Sequence, residues 1–228
     1  MLKPGFYNRS VTVWHVTLLL SVTFAVFFLP LLPPAPQRLT FRLVYSAIYV
    51  AALFSLKRRR PITLVLFFTS FFAEWITGFL EIRVLHDISK SINIIFFLLI
   101  VATFIKQIAM ARKVNAGVIL ESISAYLLLG IIYSIIVAYI LQYDPTAFAG
   151  NRDKSIILDY GIDSSVPLYF SFVTMATLGY GDIVPLKPYT RALSTWIAIS
   201  GQLYIAVIMA LLVGKFASQS SNDDPGSE

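Results

Sequence analysis

The chain has 228 residues, of which 57% are hydrophobic and 13% charged, with a formal net charge of +6. That balance is too apolar for an ordinary soluble domain or a disordered chain and points to an integral membrane protein. The basic residues are scattered among apolar runs without forming a patch interleaved with aromatics, which argues against nucleic-acid binding, and the lack of cysteine excludes disulfides, thiolate metal sites and cysteine nucleophiles within this chain.

A bilayer core takes about 20 mostly apolar residues per spanning helix, because lipid offers the backbone no hydrogen-bond partner. Six segments approach that length: Val11 to Leu29, Leu39 to Leu56, Pro61 to Leu80, Ser91 to Met110, Gly117 to Leu141 and Ala192 to Phe216. The first follows Lys3 and Arg9 as a signal peptide would, but it is long and residues 30–37 show no small-x-small cleavage pattern, so it reads as a spanning helix. His15 within it reads as a packed or hydrogen-bonded side chain. The second and third segments carry Arg42 and Glu74, both in the outer half of the membrane, and these are read as a structural ion pair. Glu121, at the inner end of the fifth, is expected to meet Lys106 or Arg112. With the amino terminus in the cytoplasm, the loop of Lys57, Arg58, Arg59 and Arg60 and that of Lys106, Arg112 and Lys113 also lie inside, as the positive-inside rule requires.

The connection from Gln142 to Arg191 is too long for a turn and holds a second apolar stretch, Val166 to Thr177, which is too short to span. Its 12 residues make about 18 Å of helix, half a bilayer core. Ser164 or Ser165 suits its cap and Pro167 its first turn, so the stretch is expected to be a re-entrant half-helix. After it comes Thr177-Leu178-Gly179-Tyr180-Gly181-Asp182. Non-helical backbone at membrane depth is tolerated where it is buried in protein or lines water, and two glycines open conformations closed to other residues.

The run SFVTMATLGYGDIVP resembles the filter region of tetrameric potassium channels, whose loop commonly reads TVGYG. The resemblance implies that Thr177 lends its hydroxyl and carbonyl, and Leu178, Gly179 and Tyr180 their carbonyls, to K+ sites, with Gly181 and Asp182 at the outer mouth. Leu178 replaces the usual valine. Val173 stands where some relatives have a glutamate that braces the filter, and Thr174 lies beside it; Tyr169 is expected to brace the loop instead by bonding Asp182. The half-helix directs the negative end of its dipole inward and favours a cation there. Asp144, Asp153, Asp159, Asp163 and Asp182 outnumber the bases of the outer connection and would gather cations at the mouth.

In the last helix Gly201 is a hinge or close-packing candidate, with Ile205 and Met209 as cavity-lining candidates. One filter per chain implies a fourfold homotetramer. The expected fold class is thus an all-α membrane protein: six transmembrane helices plus a re-entrant pore helix and filter loop. Residues 1–116 form a four-helix part in the position of a voltage sensor, 117–216 a two-helix pore part, and 217–228 a disordered cytoplasmic tail. The fourth helix lacks the basic repeat of a sensor, having only Lys106 after Lys90, so steep voltage gating is not expected. The expected function is passive, potassium-selective conduction in the cell membrane, both termini cytoplasmic, with no cofactor beyond permeant K+, no enzymatic activity and a separate regulatory subunit left open. The alternatives are a less selective cation channel, a non-conducting accessory subunit and a potassium-transporter component.

Overall fold

The computed structural model describes residues 4–32, 34–56, 61–79, 83–111, 113–150 and 165–222. The loop at 57–60, Arg112, the acidic stretch at 153–163 and Ser164 lie outside them. The chain is mostly helical. Helix α1 (Pro4–Thr23) runs on through a π-turn at Phe24–Phe28 and a 3-10 turn at Leu29–Leu31, where Pro30 lacks the N–H to continue a regular helix. It is followed by α2 (Pro34–Ser55), α3 (Pro61–Phe79), α4 (Arg83–Met110) and α5 (Ala116–Tyr143). A short strand β1 (Phe148–Gly150), helix α6 (Ser165–Met175), strand β2 (Ile183–Pro185) and the long helix α7 (Pro188–Asn222) complete the chain.

Four of these helical stretches are long and apolar enough to cross a membrane: Val13–Leu31, Asp87–Met110, Ala116–Tyr143 and Pro188–Ser218. The apolar parts of α2 and α3, Leu39–Ser55 and Pro61–Thr77, are shorter. Two boundaries correct the sequence reading. Helix α4 starts at Arg83 rather than Ser91, because its first turns carry polar residues that hydropathy alone excludes; α7 runs to Asn222 rather than Phe216, so residues 217–222 of the expected disordered tail are helical.

Each helix turns one stripe inward and another outward, and the outward stripes are apolar as well. On α1 Val13, Val16, Leu20, Phe24 and Phe27 are exposed; on α3 Ile62, Val65, Phe68, Phe72 and Ile76 are. Such outward apolar stripes suit lipid as the solvent. Helix α1 packs on α2 and α5, α3 on α2 and α4, and α4 on α5. The main core crosses the expected division at residue 116: Leu18 and Val22 of α1, Ile48 and Tyr49 of α2, and Phe96, Phe97, Ile100 and Phe104 of α4 close on Leu128, Ile131 and Ile132 of α5.

Polar side chains tie the two ends of the bundle. At one end Tyr143 and Gln142 of α5 donate to Asp87 of α4, and Lys90 donates to Gln142. At the other, the Asn115 side chain caps α5 by accepting from the Val118 amide at 3.1 Å, and Lys215 Nζ of α7 donates to the carbonyls of Ile108 and Ala109 at 2.5 and 2.7 Å, closing the end of α4.

Candidate functional site

Helix α6 is wedged between α5 and α7. Two glycines make room for it. A Cβ on Gly130 of α5 would lie 2.3 to 2.8 Å from atoms of the Phe172 ring, and one on Gly201 of α7 would lie 2.4 Å from the Met175 carbonyl oxygen. Backbone and ring therefore approach more closely than any other residue type permits. Gly201 thus lies against the carbonyl end of α6. Tyr133 of α5 and Ser200 of α7 share a hydrogen bond of 2.6 Å at the same level.

The segment after α6 has an unusual backbone. Thr177, Gly179 and Gly181 have φ of 58°, 51° and 77°, and among the described residues these alone are left-handed. In an extended strand successive carbonyls point to opposite sides; reversing the hand at every second residue brings them to one side. The amides take the other side, since the carbonyl of Val173 accepts from Leu178 N at 2.9 Å and Gly179 N at 3.4 Å, and that of Thr174 from Thr177 N at 3.0 Å. Among the described residues the carbonyls of 177–181 accept no hydrogen bond. Glycine takes the left-handed state freely, but for β-branched Thr177 it costs about 1–3 kcal/mol and persists only where surroundings enforce it. A row of carbonyl oxygens without protein donors is free to accept hydrogen bonds from water or to coordinate a cation.

The far end of the segment is fastened by polar contacts. Tyr169 Oη donates to Asp182 Oδ2 at 2.5 Å, and Ile183 N donates to Asp182 Oδ1 at 3.0 Å. Strand β2 pairs antiparallel with β1, Ile183 opposite Gly150 and Pro185 opposite Phe148. Thr190 Oγ1 donates to the Ala147 carbonyl at 3.1 Å. Asp144 accepts from Thr146 Oγ1 and Tyr189 Oη, both at 2.6 Å, and these bonds hold its carboxyl below the ordinary carboxylate range. The mouth of the segment is thus clamped to the ends of α5 and α7.

The remaining sequence candidates lie apart. Leu178 and Tyr180 turn their side chains outward, and Ile205 and Met209 lie exposed on α7 with Leu203 and Val213. Glu74 accepts a hydrogen bond from Asn93 Nδ2 of α4 at 3.1 Å and is also attracted by Arg42 and Lys90, so it belongs to a wider polar cluster than the expected pair. Glu121 Oε1 lies 3.2 Å from His15 Nε2 of α1, with both side chains buried; of its two expected partners, Lys106 and Arg112, the second lies outside the described residues. Gly130, Phe172, Tyr133, Ser200 and Asn93 were not singled out by the sequence; a glycine or phenylalanine in an apolar helix carries no signal of what it packs against.

Comparison with known proteins bears on the same region. Residues 123–218, from α5 through α7, match the family described as "Ion channel". The chain is 40% identical over 55 residues to the potassium voltage-gated channel protein shk-1 of Caenorhabditis elegans, covering 23% of this chain and 10% of that protein. It is 42% identical over 48 residues to the inward rectifier potassium channel Kirbac3.1 of Paramagnetospirillum magnetotacticum, 21% of this chain and 16% of that one. To the two-pore potassium channel 5 of Arabidopsis thaliana it is 39% identical over 46 residues, 20% and 11% of the two chains. The chain therefore spans less than a fifth of each relative's length. No solved structure matches it. Residues 123–218 thus resemble ion channels, and the relatives matched are potassium channels.

Proposed function

We propose that the chain is one subunit of a homotetrameric, potassium-selective channel that conducts K+ passively through residues 177–181. The observation that carries this reading is the alternation of backbone hand at Thr177, Gly179 and Gly181, with the amides of Leu178 and Gly179 turned back onto the Val173 carbonyl. Four such rows around an axis surround a dehydrated ion with carbonyl oxygens in place of water. The ion meets Thr177 first from the inner side and then Leu178, Gly179 and Tyr180, with Gly181 and Asp182 at the mouth. Helix α6 acts as the pore helix, its carbonyl end favouring a cation below the filter. No cofactor and no chemical step enter the mechanism beyond the permeant ion.

The single chain leaves Leu203, Ile205, Met209 and Val213 exposed on α7, and Leu178 and Tyr180 in the loop; a closed ring of four copies gives these surfaces neighbours and a cavity to face. In this reading α2 and α3 also span, which makes six spans with both termini cytoplasmic in the cell membrane, and residues 1–116 attach to the pore part 117–216. Steep voltage gating is not part of it, since steep gating takes about 3 to 4 charges per subunit and α4, after Arg83 and Lys90 in its first turns, carries only Lys106.

The test is the reversal potential of the purified protein in planar bilayers, with potassium on one side and sodium on the other. A value near the potassium limit is expected, with barium block and loss of current in Gly179→Ala, whose Cβ would force a left-handed alanine. A sizeable current reversing near zero would mean a less selective pore, and no current at all would favour the accessory or transporter reading.

A further inference from the structure

Ion discrimination in this chain requires the filter carbonyls to stay in place, and apart from the Tyr169 hydroxyl on Asp182 at the mouth, no α6 side chain among the described residues bonds the loop, Val173 having no polar group. The loop is held instead by the main-chain carbonyl of Val173, through Leu178 N and Gly179 N. Its position is therefore the position of the last turn of α6. Two contacts set that turn's height: the Phe172 ring seated on Gly130, and the Met175 carbonyl and Cγ seated on Gly201 at 2.4 and 2.5 Å from where a Cβ would be. Met175 is fully buried, so the second seat has no slack. Tyr133 stands one turn beyond Gly130, and Ser200 adjoins Gly201. Their 2.6 Å hydrogen bond ties α5 to α7 beside both seats.

Resting on the channel reading above, we propose that Gly130, Tyr133, Ser200 and Gly201 form a saddle that positions the filter and sets its selectivity, although none of the four touches the ion. A carbonyl row selects between ions by the number and placement of its oxygens. Loosening the tie lets the seats part, α6 shift and the Val173 carbonyl release the loop amides. These are positioning residues, and their effect passes through α6.

The experiment compares the potassium-to-sodium permeability ratio of wild type, Tyr133→Phe, Gly130→Ala and the Gly130→Ala, Phe172→Leu double variant, reconstituted as full-length channels. Tyr133→Phe keeps the ring and removes one hydrogen bond, so it is expected to assemble normally with the ratio lowered about fivefold. Gly130→Ala is expected to lower it further, and replacing the Phe172 ring to restore much of the loss. A role confined to folding would reduce yield and leave the ratio of assembled channels unchanged. Tyr133→Phe channels that discriminate as wild type does would overturn the saddle. A wild type without discrimination would overturn the potassium reading first, before any variant is compared.

Discussion

Asp182 is held by two donors of different kinds, the Tyr169 hydroxyl at 2.5 Å and the Ile183 amide at 3.0 Å. The amide bond comes with the backbone, while the hydroxyl links the loop's mouth to the middle of α6. Tyr169→Phe keeps the ring and deletes that link, at a cost of about 1 kcal/mol for a charge-assisted bond at a partly exposed site. The expected outcome is a current that decays several-fold faster when external potassium is withdrawn, because emptied carbonyls repel one another and the loop has lost a restraint. Decay at the wild-type rate would show that the bond carries no load. The pairing of these two side chains was expected from the motif's resemblance to a channel filter. The left-handed Thr177 was not, because a β-branched residue ordinarily argues against that conformation, and here the hydrogen bonds to Thr174 and Val173 enforce it.

At the scale of elements the most informative joint is where α4 ends. Lys215 of α7 reaches the carbonyls of Ile108 and Ala109, beside a small core of Ile108, Val118 and Ile208, and Tyr204 of α7 donates to the Ser122 carbonyl of α5 at 2.7 Å. An ammonium at a helix carboxyl end satisfies carbonyls left over by the helix and complements its dipole. Lys215→Met keeps the apolar stem and removes these bonds, and is expected to cost about 1–2 kcal/mol, read as a lowered melting temperature in detergent and as faster amide exchange over residues 105–111. Unchanged exchange at that helix end would refute the joint. The helices themselves were legible as apolar runs, and the half-helix α6 as a run too short to span. Their ends were less so: the first turns of α4 hold Asp87 and Lys90, whose partners Gln142 and Tyr143 come from a distant part of the chain. Hydropathy cannot register such a pairing.

For the whole molecule, the sequence suggested two parts joined near residue 116, and the core does not respect that line. Helix α5 gives Leu128, Ile131 and Ile132 to a cluster whose other members come from α1, α2 and α4, and Glu121 of α5 is buried against His15 of α1. In a membrane, apolar surface meets lipid at little cost, so such packing is driven by close contact and by polar groups that need partners. Removing the first four helices would therefore do more than uncover apolar side chains, since it would strip a buried carboxylate of the imidazole beside it. The isolated segment 117–228 is expected to yield polydisperse, poorly conducting material. Co-expression with residues 1–116 as a separate fragment is expected to restore a single oligomer, and size-exclusion chromatography with bilayer recording reads both outcomes. A truncated segment that runs as one species and conducts like the full chain would show that the shared core is dispensable, and that the first four helices serve something other than holding α5 in place.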